Sequence, residues 1–176
     1  MPHDGRSERL KKWFKKAEDE EDIFDRYVYG WLALGLAASI HETTSGERFK
    51  KDSERVVNYL KTRADDVEEA VRRETQSAVT LSKRMGTRNG VIVDGSPRLQ
   101  EYCKKFRRKV LGQGTCSPTE FAESTARILN KVRNNLFHGE KVYDDAEDRK
   151  LLESATPLLL AIVASCERRV AHSSQP

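Results

Sequence analysis

Between Ser117 and Gly139 the chain carries both ends of one long helix, and that helix limits what the rest can be. Ser117-Pro118-Thr119-Glu120 is a start signal. The serine can accept from the backbone N–H of Glu120, the glutamate can reach back, and proline suits the first turn, where its missing N–H costs nothing. Phe121, Thr125, Ile128, Leu129, Val132 and Leu136 then return on one face. The spacing predicts a helix of about twenty residues, at about 1.5 Å each. Gly139 ends it, because glycine enters the left-handed conformation at little cost.

The last turns hold Arg133-Asn134-Asn135-Leu136-Phe137-His138-Gly139. A helix turns about 100° per residue, so Asn134 and His138 share a face while Arg133 and His138 diverge by roughly 140°. Loosening at Gly139 would let the imidazole swing back toward the arginine. Unpaired carbonyls at a helix C-terminus favour the imidazolium, which puts the titration of His138 near neutral pH. A histidine that changes charge there, beside a fixed cation with five donors, suits work on a phosphodiester.

The rest of the chain reads as further helices. Arg9 to Lys16 sets Leu10, Trp13 and Phe14 among five basic residues, a short amphipathic helix. The acidic run Glu18 to Asp22 breaks the chain or caps the next helix. Ile23 to Ile40 is apolar nearly all round and reads as the central buried helix, with Gly30 and Gly35 allowing a neighbour close. Thr43-Thr44-Ser45-Gly46 reads as a loop. Asp52 and Ser53 are the cap of a helix with Val56, Val57 and Leu60. Another helical pattern runs from about Asp65 to Met85. The stretch 86–97 is the least helical and reads as an irregular loop, ending at Ser96-Pro97, a cap and first helical residue. Leu99, Cys103, Phe106 and Val110 keep helical spacing, and Lys104, Lys105, Arg107, Arg108 and Lys109 make the most basic patch, a candidate nucleic-acid contact. After the polar loop 140–145 comes a Leu-rich closing helix, expected to pack the 117–139 helix down and to kink at Pro157.

The expected architecture is therefore all-α, with about five to seven helices. A basic and acidic arm occupies 1–22, the helical domain 23–172 and a tail 173–176. At 176 residues, 37% hydrophobic and 34% charged, the chain is long enough for a real core and too apolar for disorder. The net charge of +4 is compatible with a polyanionic partner without requiring one. Cys103, Cys116 and Cys166 are odd in number and show no metal-ligand spacing. They read as reduced thiols in a cytoplasmic protein, with neither metal nor cofactor expected. From the charged start no signal peptide is expected, and the longest apolar run, around Val28 to Ile40, is too short for a bilayer span.

An all-helical chain with Arg133-Asn134-x3-His138-Gly139 near the end of its penultimate long helix resembles the HEPN superfamily (higher eukaryotes and prokaryotes nucleotide-binding). The following loop with Asp148-Arg149, the Leu-rich last helix and the aromatic-aliphatic segment Phe24 to Ala37 resemble its prokaryotic branch. The likeness covers about Ile23 to Val170. It implies an up-down helical bundle that pairs as a homodimer, bringing two motifs together, and a metal-independent endoribonuclease. Arg133 would hold the scissile phosphate, Asn134 would position the histidine or a phosphate oxygen, and His138 would be the general acid or base. Attack by the ribose 2′-hydroxyl would leave a 2′,3′-cyclic phosphate. The settings implied are toxin–antitoxin pairs and phage defence, with an antitoxin or defence-system protein as a further partner. Asn135 and Lys141 are added candidates for RNA contact. Where some members carry an AMP-modified tyrosine, this chain has Glu140. The alternative reading is a catalytically inactive HEPN module that binds RNA or a protein. The structural reading of the motif is a salt bridge from Arg133 to Glu123 or the last helix, with His138 as a helix cap.

Overall fold

A computed structural model describes residues 5–85, 96–137 and 146–173, apart from the side chains of 137 and 170–173. The described residues form eight α-helices and no strand: α1 (Gly5–Asp19), α2 (Ile23–Ser45), α3 (Asp52–Thr62), α4 (Ala64–Arg73), α5 (Thr75–Arg84), α6 (Pro97–Val110), α7 (Pro118–Phe137) and α8 (Ala146–Ser173). The all-α bundle expected from the sequence is thus what the chain adopts. It has one helix more than the upper expectation because the 65–85 pattern is two helices. They part at Glu74 (φ −97°, ψ 37°), where the Thr75 hydroxyl takes the carbonyl of Arg72.

Local chemistry explains the ends. Asp22 caps α2, its Oδ1 accepting from the N–H groups of Phe24 (2.9 Å) and Asp25 (3.1 Å). Ser96 Oγ accepts from Leu99 N–H at 3.4 Å, with Pro97 as the first residue of α6. At α7 the reciprocal box forms in full. Glu120 N–H donates to Ser117 Oγ (3.2 Å) and Ser117 N–H to Glu120 Oε2 (3.1 Å). Two expectations need correction. The helix from Ile23 runs through the supposed loop to Ser45, because Thr43 and Thr44 turn their hydroxyls back onto helix carbonyls, and Gly46 ends it at φ 76°. The cap position of α3 is Lys51, which makes no side-chain cap; Asp52 and Ser53 are already helical.

The helices pack in two groups. α2 lies against α1, α3 and α8, while α7 lies against α3, α4 and α6; α4 and α5 join the groups by also touching α8. One hydrophobic cluster runs through both, from Leu10 of α1 to Cys166 of α8. α7 has no exposed residue from Phe121 to Leu136 and shares the central place expected for α2. α8 does not press α7 down as expected: its main neighbours are α2, α4 and α5. It continues through Pro157, whose missing N–H leaves the carbonyl of Glu153 without its helical donor, and Glu153 is exposed to water. Ion pairs stitch the groups from outside, Arg169 to Asp66 and Arg84 to Glu147. No described helix is long and apolar enough to cross a membrane.

The two α2 glycines differ. A Cβ on Gly30 would lie 3.0 Å from Leu160 Cδ2 and 3.2 Å from Leu159 Cδ2, so α2 and α8 meet there with no room for a side chain; a Cβ on Gly35 would meet nothing within 4 Å. Gly35→Ala is therefore expected to stabilise the fold by ~0.5–1 kcal/mol, the usual gain of alanine over glycine in a helix. Gly30→Ala should gain less or destabilise, because Leu160 must yield. Urea unfolding of both variants tests this, and equal effects would contradict the close α2–α8 approach.

Candidate functional site

The C-terminal turns of α7 bring Arg133 and Asn134 together. Both are half-buried, and Arg133 Nη1 donates to Asn134 Oδ1 at 3.0 Å. Adjacent residues on a helix point about 100° apart, so this contact needs the long arginine stem to fold back. Arg133 also lies near Tyr27 of α2. That ring is fully buried and its hydroxyl donates to the carbonyl of Leu129 at 2.6 Å. Burial pushes the Tyr27 phenol well above its ordinary range, and the Arg133 charge pulls it part of the way back. Inside α7 the Leu129 carbonyl is the helical acceptor of the Arg133 N–H. The tyrosine therefore holds the same carbonyl on which the arginine's own turn is built.

Asn134 faces a cleft between the start of α6 and the end of α7, lined by Ser96, Arg98, Tyr102, Arg127, Asn130 and Lys131. A chain of polar contacts crosses it. Arg98 Nε donates to the Tyr102 hydroxyl (3.3 Å), which donates to Glu123 Oε1 (2.9 Å). Arg127 reaches Glu123 at 3.5 Å and grips both oxygens of Glu54 on α3 at 2.8 and 3.2 Å. That grip holds the Glu54 carboxyl below its ordinary range. Three cations, Arg98, Arg127 and Lys131, line the cleft, and among the described residues Arg127 answers two carboxylates, Glu54 and Glu123. Glu123, a supposed partner of Arg133, is engaged by Tyr102 and Arg127.

The other expected site residues fall in several places. Asn135 is a correction: it is only 3% exposed, because its position on α7 turns inward to the core, and it does not present a surface to RNA. His138, Gly139 and Lys141, like the loop at 86–95, lie outside the described residues. The α6 patch is also altered. Lys105 pairs with Glu120 (2.8 Å) and Lys109 with Glu68 (2.7 Å), leaving Lys104, Arg107 and Arg108 facing solvent. Lys105, with the Ser117 N–H and hydroxyl behind it, pulls the Glu120 carboxyl down to about 2. That pairing sets the patch at the N-terminal end of α7, thirteen residues or about 20 Å along the helix from Arg133. The cations beside Asn134 are Arg98 and Lys131 instead. The short turn at 111–116 held the signal for this: it folds α6 back along α7, bringing 98–102 beside 127–134.

Glu42 holds the end of α2 to α3, accepting from Phe49 N–H (2.7 Å) and pairing with Arg55. Among the described residues no group of three or more His, Cys, Asp or Glu side chains could hold a metal ion. Compared with known proteins, the chain matches no protein-family model, no curated protein and no solved structure.

Tyr27→Phe is expected to cost ~1 kcal/mol in urea unfolding, the net worth of a buried neutral hydrogen bond whose acceptor keeps another partner. No loss at all, or a loss above ~3 kcal/mol, would contradict the arrangement around the Leu129 carbonyl.

Proposed function

We propose that this chain is a metal-independent endoribonuclease of the HEPN type, acting at the C-terminal end of α7. The observation that carries the reading is the hydrogen-bonded pair Arg133–Asn134 beside an open polar cleft lined by Arg98, Arg127 and Lys131. The cleft gives a phosphate strand a path to the pair, past Arg98 and Lys131. In the proposed reaction the 2′-hydroxyl of a ribose loses its proton to a general base, its oxygen attacks the adjacent phosphorus, and the 5′-oxygen of the next nucleotide leaves with a proton. His138 is assigned the proton transfers and Arg133 the negative charge that grows on the phosphate. Asn134 positions the histidine or a phosphate oxygen. A homodimer would let two chains complete one pocket. The setting that fits such an activity is a toxin–antitoxin pair or phage defence.

In EDTA the wild-type protein is expected to cleave RNA and leave 2′,3′-cyclic phosphate ends, detected by mass spectrometry. Arg133→Ala and His138→Ala should each lower the rate by about 10²-fold or more. Equal rates in all three proteins, or no cleavage of any RNA by the wild type, would remove the nuclease reading. Salt-sensitive binding without product would favour the second reading, an inactive module that binds RNA. Glu54 and Glu123 speak for that reading, since they engage Arg127 within the cleft.

The route of the strand has its own test. Arg98→Glu with Lys131→Glu should weaken RNA binding about tenfold or more at ~0.1 M salt and flatten its salt dependence. Lys104→Glu with Arg107→Glu should weaken it less. A larger effect from the second pair, in a filter-binding series, would move the RNA path to the far end of α7.

A further inference from the structure

A second concavity lies where α1, α2 and α8 meet the α4–α5 junction. Its wall is apolar: Phe14, Ile23, Leu160 and Ala161. At about 340 Å³ it falls at the small end of ligand pockets, which run to roughly 300–1,000 Å³. Two polar groups within it lack a partner among the described residues. Thr156 is 2% exposed, and its hydroxyl makes no hydrogen bond. Other helical hydroxyls here turn back on their own helix, as Thr125 does to the Phe121 carbonyl (2.9 Å) and Ser165 to Ala161 (3.2 Å); Thr156 does not. The Nε of Arg26 is likewise shielded from solvent without an acceptor. Glu18 and Glu74 line the same groove, and among the described residues no ion pair joins either to Arg26.

A guanidinium, a buried hydroxyl and two carboxylates over an apolar wall describe a ligand with both charges on one head. A simple fatty acid would face Glu18 and Glu74. An apolar amine would leave Arg26 and Thr156 unmatched. We propose that this groove binds a hydrophobic α-amino acid. Its carboxylate lies on Arg26 and the Thr156 hydroxyl, its ammonium on Glu74 and Glu18, and its side chain on the apolar wall. The guanidinium fork matches a carboxylate in geometry and charge, and buried polar groups are ordinarily matched by a partner.

The test uses the full chain with L-leucine and L-phenylalanine as probes, by thermal unfolding and titration calorimetry. At ~10 mM, at least one amino acid is expected to raise Tm by about 2–4 °C. 4-Methylpentanoate, which keeps the acid alone, and isopentylamine, which keeps the amine alone, should each bind at least about tenfold more weakly. Arg26→Met keeps the stem and should abolish the response. Thr156→Val keeps the shape; it should raise the ligand-free Tm, by removing an unmatched hydroxyl, while weakening the response to the amino acid. No response to either amino acid, an undiminished response in Arg26→Met, or equally tight binding of the acid or the amine alone would overturn the proposal.

Discussion

The bond from the Tyr27 hydroxyl to the Leu129 carbonyl joins the two helix groups at the short contact between α2 and α7. α7 is enclosed by α3, α4 and α6 and touches α2 only over a short stretch. The tyrosine makes that short contact directional. A fully buried phenol has no water to fall back on, so its donor must find an acceptor inside the protein. It finds one on the turn that carries Arg133. The arginine's place over α2 and the tyrosine's place under α7 are thus one fact seen from two sides.

Burial of α7 also decides how its polar residues behave. Ser124 and Thr125 are almost wholly enclosed and return their hydroxyls to Glu120 and Phe121 carbonyls, at 2.8 and 2.9 Å. Arg127 lies at the edge of the core and answers two carboxylates, Glu54 and Glu123. Breaking such a pair would leave a half-buried charge behind, so these contacts act more as constraints on α3 against α7 than as a large net source of stability. Their side effect is a cleft in which polar groups of α6 and α7 are held in fixed relation.

Much of the fold was legible in the chain because capping is local chemistry. Asp22, Ser96-Pro97 and Ser117-Pro118-Thr119-Glu120 each act at the predicted end, and the apolar spacing of α2, α6, α7 and α8 survives folding. The extension of α2 to Ser45 was missed because threonines read as loop formers until a helix offers them its carbonyls. The split at Glu74 was missed because neither glycine nor proline marks it. Within the candidate site, the nearness of Arg133 and Asn134 follows from their adjacency. The inward turn of Asn135 and the neighbourhood of Arg98 and Lys131 do not. A buried amide and a surface amide have the same letter, and residues 98 and 134 meet only because a short turn sends one helix back along the other.

By itself, then, the sequence determined the helices and most of their ends, since those depend on hydrogen bonds and apolar periodicity within a few residues. It also placed Arg133 and Asn134 on the last turns of a long helix. Only the tertiary structure decided that this helix has no fully exposed residue from Phe121 to Leu136, that the basic run on α6 lies at its far end, and that Gly30 has a neighbour where Gly35 has none. Each of these is a contact between residues far apart in the chain. Such contacts are selected by how all the helices share one core, a condition that no local stretch contains.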